Sequence, residues 1–154
     1  MKKKRVVIIS LLLLLVSVIG ISSYFLFKDK INLLDVDHSA VDWNGKKQKD
    51  TSGEENTIAI PGFEKVTLYA NETTQAVNFH NPEINDCYFK ISLIHPDGSV
   101  LWISDLIEPG KGMYSIELEK TLAVGEYENA VLKYECFSLN DQSPLNGSEI
   151  NLKL

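Results

Sequence analysis

Two patterns of apolar and polar positions divide the chain. From Val6 to Phe27 no side chain is charged and most are Val, Ile, Leu or Phe, so the run has no polar face. A helix of that length reaches about 33 Å, enough for the hydrocarbon core of a bilayer. Only a helix satisfies every backbone amide of one segment within lipid. After Asn56 the pattern changes to short stretches in which apolar residues recur at every second position, the period of a strand with one buried face.

Turn residues separate these stretches into candidate strands. Ile58–Ile60 stops at Pro61-Gly62, and Lys65–Tyr69 carries Val66 and Leu68 on one face. Ala76–Phe79 ends at Asn81-Pro82. The segment from Tyr88 to Ile103 reads as two strands joined at Pro96-Asp97-Gly98, where proline sets one backbone dihedral and glycine the next. Met113–Leu118 follows Pro109-Gly110 and Gly112; Glu126–Phe137 is the longest candidate, and Glu149–Leu154 follows Asn146-Gly147. Beyond residue 56 no apolar spacing of 3.6 residues persists long enough for a helix. Seven or eight short strands with such turn spacing predict an all-β fold, an immunoglobulin-like β-sandwich. Gly125-Glu126-Tyr127 at the entry to a late strand matches the tyrosine corner, in which the phenol hydroxyl ties back to upstream backbone.

The charges orient the chain. Lys2, Lys3, Lys4 and Arg5 precede the apolar run, while Lys28, Asp29 and Lys30 follow it. The positive-inside rule then places residues 1–5 in the cytoplasm, 6–27 as a transmembrane signal-anchor helix, and the remainder outside the cell membrane. A cleaved secretory signal is the alternative, with small residues at Val18/Gly20 or Gly20/Ser22; against it, the run continues through Tyr24–Phe27 and lacks an A-x-A pattern. Residues 28–56 are rich in Asp, Glu and Lys, without sustained periodicity, and read as a flexible polar tether. Leu33, Leu34, Val36 and Trp43 stand out as apolar points that would rest on the membrane or dock. Residues 57–154 form the ectodomain. Residues 1–30 hold six basic and one acidic side chain, so a chain total of −6 leaves −11 for residues 31–154. That charge argues against nucleic acid or an anionic bilayer as partner of the exported part.

Two cysteines, Cys87 and Cys136, fall in the exported part, where a disulfide persists. Cys87 shares its face with Phe89, Ile91 and Leu93, and Cys136 with Leu132 and Tyr134, so both point inward and a disulfide between them is set against two buried free thiols. In the expected fold their strands are antiparallel neighbours, the start of one beside the end of the other.

Catalytic patterns are missing. No Gly-x-Ser-x-Gly elbow or glycine-rich phosphate loop occurs, and His38, His80 and His95 are scattered among turns and the tether. The oxygen-rich stretch Asn81, Glu83, Asn85 and Asp86 lacks the ligand spacing of a calcium loop and reads as turn chemistry. No catalytic residue, cofactor or metal is expected, and the chain is read as non-enzymatic. Tyr88 and Trp102 are the candidate binding aromatics, a platform for sugar stacking if exposed.

Cys87-Tyr88-Phe89, Leu106–Gly110, Gly125-Glu126-Tyr127, Leu132–Phe137 and Ser143–Gly147 together resemble small single-span exported proteins of Gram-positive bacteria. The resemblance covers the anchor and most of the domain and implies a cell-envelope location. The expectation is a membrane-anchored, extracytoplasmic binding or assembly module with a protein partner at the cell surface. A carbohydrate-binding module contacting wall polysaccharide is the alternative.

Overall fold

The computed structural model describes residues 33–45 and 57–154; the expected transmembrane segment and residues 46–56 lie outside the described residues. Seven strands are described: β1 (Val41–Asp42), β2 (Thr74–His80), β3 (Cys87–Ile94), β4 (Val100–Ile103), β5 (Lys111–Glu117), β6 (Ala130–Ser138) and β7 (Pro144–Leu152). No helix occurs among the described residues. The strands form two antiparallel sheets, β1-β5-β2 and β4-β3-β6-β7, in an all-β, sandwich-like arrangement.

The four-stranded sheet follows directly from alternation. In β3 the residues Cys87, Phe89, Ile91 and Leu93 are buried, and in β6 Ala130, Leu132, Tyr134 and Cys136. A period of two puts each set on one face, and pairing the two strands merges them into one apolar surface. The other sheet covers it: the Phe79 ring on β2 stacks on Trp102 of β4, 5.8 Å between centroids. Within the four-stranded sheet Phe89 meets Tyr134 edge-on. Each such large side chain stabilises the fold by about 1.5–3 kcal/mol through burial. The expected turn between β3 and β4 is present. Gly98 N–H donates to the His95 carbonyl at 2.8 Å, and Gly98 takes a φ of +85°, which only glycine adopts readily. Tyr127 donates its hydroxyl to the Ala123 carbonyl at 3.0 Å, the hydrogen bond anticipated from Gly125-Glu126-Tyr127.

Four expected elements differ. β6 begins at Ala130, not Glu126, because Asn129 adopts a left-handed φ of 62°. β7 begins at Pro144, and Asn146-Gly147 is no turn. The β6–β7 register shifts between Tyr134 and Cys136, and a Cβ on Gly147 would collide with the Tyr134 carbonyl oxygen. Glycine is there for close backbone approach at a bulge. Ile58–Ile60 is not a strand: the Ala59 backbone bonds to the Asn85 side chain instead. Of Lys65–Tyr69 only Lys65 bridges, parallel to Lys153.

The expectation of a flexible tether over residues 28–56 also changes for the part that is described. Residues 34–44 are bound along the domain. The Leu34 backbone exchanges two hydrogen bonds with the Gln142 side chain. Val36 bridges Leu106, and β1 pairs with β5 through Val41↔Gly112 and Asp42↔Lys111. Trp43 stacks on His80 at 3.8 Å and donates its indole N–H to Asn78. Low apolar content hides this strap in the sequence because polar groups and single rings hold it.

Candidate functional site

The outward face of the four-stranded sheet carries three kinds of side chain. At one end Tyr88 lies opposite Phe137, which lies opposite Pro144. The middle row holds Lys90 opposite Glu135 and Lys133 opposite Glu149, with a 3.4 Å ion pair between Lys133 and Glu135. At the far end sit Ile94, Val131 and the exposed Val100 and Ile103. Where the Gly147 bulge opens the sheet, a recess of about 320 Å³ forms between β6 and β7, lined by Glu135, Phe137, Pro144, Leu145, Ser148 and Glu149 among others. On the opposite, inward face the Tyr134 hydroxyl is buried without a hydrogen-bond partner among the described residues. Burial holds that phenol well above its ordinary pKa.

The edge of β7 is the second part of the site. Lys153 N–H donates to the Glu64 carbonyl, and Val66 N–H donates to the Lys153 carbonyl. Lys153 therefore turns its backbone away from β6. Leu154, by contrast, exchanges both backbone bonds with Tyr127 on the β6 side. Because backbone groups alternate along a strand, Asn151 and Glu149 face the same way as Lys153. Residues 64–66 cover this row at Lys153, and β7 is the edge strand of its sheet among the described residues. An uncovered row of N–H and C=O groups is a template for another strand.

The structure separates the residues singled out from the sequence. Tyr88 is half-buried on the outward face, whereas Trp102 is buried in the core against Phe79. The two rings lie on opposite faces of the sheet and make no common platform. Val100, which shares the parity of Trp102, is exposed because the β3–β4 register shifts between Leu93 and Ile94. Cys87 and Cys136 are brought together: both are buried with free thiols, as diagonal neighbours on β3 and β6. Their proximity eases ionisation of Cys87, and with burial it holds the proton on Cys136.

His80 and His95 go to different settings. His80 lies under Trp43 with its Nδ1 unpartnered among the described residues, and burial lowers its pKa. His95 packs near Tyr127 and pairs with Asp97 at 2.9 Å. Hydrogen bonds from Ser99, then from His95, hold the Asp97 carboxyl below the usual carboxylate range. In the oxygen-rich stretch, Asn81 donates to the Cys87 and Ile107 carbonyls and accepts from Asn85, whose own amide closes on Ala59. The Asn81 and Asn85 side chains are thereby committed to backbone groups and to one another. Among the described residues no group of three His, Cys, Asp or Glu is placed to hold a metal ion.

Sequence reasoning missed the edge position of β7 among the described residues and the Trp43–His80 stack. The edge carried one readable signal, a strand whose outward residues Glu149, Asn151 and Lys153 are all polar. The stack carried only a tryptophan isolated in a polar stretch. No protein-family model matches the chain, and no curated protein or solved structure is detectably similar to it.

Proposed function

We propose that this chain is a membrane-anchored, extracytoplasmic, non-enzymatic binding or assembly module of the cell envelope, built on an immunoglobulin-like sandwich. Its protein partner adds a strand at the β7 edge. The carrying observation is that β7 is the edge strand of its sheet among the described residues and already takes residues 64–66 alongside Lys153. Strand addition draws affinity from backbone hydrogen bonds and specificity from the side chains alongside. Here those are the recess at Gly147 and the polar outer rows of β6 and β7. Lys133 and Glu135 are half-buried there, and Glu149 is exposed to a partner.

The sheet order β4-β3-β6-β7 against β5-β2, with the Tyr127 hydroxyl bonded to Ala123, supports the immunoglobulin-like reading. The uncharged run 6–27 behind four basic residues supports the anchor. A sugar platform on Trp102 finds no support, because that ring is committed to the core.

Photo-crosslinking tests the edge. A photoreactive residue at Glu149 in the full-length chain, activated in intact cells, should give one discrete adduct. Asn151→Pro removes an outward N–H and should abolish that adduct with little change in melting temperature. No discrete adduct, or one indifferent to Asn151→Pro, overturns the reading. Protease added to cells stripped of their walls should digest residues 57–154, and protection would overturn the topology.

A further inference from the structure

We infer that Cys87 and Cys136 are a disulfide-forming pair that closes within one chain during folding under oxidising conditions and is then sealed inside the sandwich. The strand register carries this. Cys87 lies opposite Ser138 and Cys136 opposite Phe89, so the cysteines are diagonal neighbours on adjacent antiparallel strands. Parity turns both side chains to the same, inward face, and each is only 1% exposed. Diagonal neighbours on one face have side chains within reach of one another. No other cysteine exists in the chain to compete.

The chemistry balances as thiol–disulfide exchange. One protein thiolate attacks an acceptor disulfide, of a low-molecular-weight compound or an oxidoreductase, and releases one thiolate from it. The second protein thiolate attacks the mixed disulfide, forms the Cys87–Cys136 bond and releases the second. Two protein thiols are oxidised, one acceptor disulfide is reduced to two thiols, and two protons are lost from the protein. Burial in the folded domain denies the acceptor its line of approach, so exchange precedes the closing of β3 on β6. The same burial then shields the bond from reductant. The loop it closes contains β4 and β5 and spans about 50 residues, a length at which a crosslink restricts the unfolded chain strongly.

In cells the inference rests on the extracytoplasmic placement proposed above, so the decisive arm is independent of location. Full-length chain, purified in detergent and unfolded with reductant, is refolded with mixed oxidised and reduced glutathione. It is then denatured and treated with a maleimide that adds mass per free thiol. The expected result is monomer with no adduct, and two adducts if reductant is added after denaturation. Two adducts without reductant, or reductant-sensitive dimers, would overturn the pairing. Reductant applied before denaturation should leave the bond intact, and rapid native reduction would overturn the seal. Chain taken directly from cells reports the compartment: free thiols there, beside a bond formed in vitro, would count against the export reading and not against the pair.

Discussion

Eight consecutive residue pairs join β3 to β6, and the buried side chains alternate along both strands without a gap on the inward face. The strap at residues 34–44 meets the same domain through two paired residues in β1, one bridge at Val36, and side-chain bonds from Gln142, Asn78 and Tyr114. Water competes for every one of those polar contacts, so each contributes only about 0.5–1.5 kcal/mol. Burial holds the ladder; hydrogen bonds, the Asp42–Lys111 ion pair, one ring stack and the small Ala40 contact hold the strap. The two regions should therefore open at different free energies, the strap locally and the ladder only with global unfolding.

The largest effect should come from the ladder. Phe89 is fully buried and meets Tyr134 edge-on, so Phe89→Ala removes its transfer energy and leaves a cavity. A loss of about 3–5 kcal/mol is expected, read by denaturant unfolding. A loss below about 1 kcal/mol would mean that the β3–β6 face does not bear the stability of the domain.

The strap should respond on a smaller scale and in a different place. Trp43 is only partly buried, and Trp43→Ala should cost about 1–2 kcal/mol from the lost stack and hydrogen bond. Hydrogen exchange locates the change. The Asp37 and Trp43 amides, bonded to the Leu106 and Gly110 carbonyls, should lose protection while Phe89 and Ile91 keep theirs. Equal loss in both regions would erase the distinction between strap and ladder.

The same contrast explains what is legible in the sequence. Alternation shows where a strand has one dry face, and β3 and the body of β6 are readable for that reason. Tyr127 is readable because a corner has a local residue signature. Nothing local reports that Gly147 admits a carbonyl at a bulge instead of turning the chain, since both uses need a missing Cβ. The strap escapes because its partners, Leu106, Lys111 and Gln142, are distant in sequence and polar in their contacts. Trp102 and Tyr88 are open to either face until the register of β3 and β4 places one ring in the core and the other outside.

Tyr134 offers a smaller effect of opposite sign within the ladder. Its hydroxyl is buried and has no partner among the described residues, so the phenol loses its water bonds on folding and regains none. Tyr134→Phe keeps the ring and removes the unsatisfied group. The domain should gain about 1 kcal/mol. A loss of stability on this substitution would show that the hydroxyl has a partner in the folded protein.

The smallest expected effect joins strap and sheet through His80. Burial under Trp43 lowers its pKa, outweighing the hydrogen bond to the Asn78 backbone that favours the charged form. The unfolded chain, with a histidine pKa of about 6.5, then binds a proton at a higher pH than the folded domain does. Stability from His80 is therefore fully present above about pH 6.5 and declines as pH falls through the lower, folded-state value. Melting temperature followed from about pH 7.5 to about pH 5 should fall more steeply for the natural chain than for His80→Gln, which has no proton to gain. Protection of the Trp43 amide, taken relative to its intrinsic exchange rate at each pH, should fall over the same range, since the charge appears beneath its ring. Parallel melting curves for the two chains would mean that His80 titrates alike in both states, and the stack would then hold the strap independently of pH.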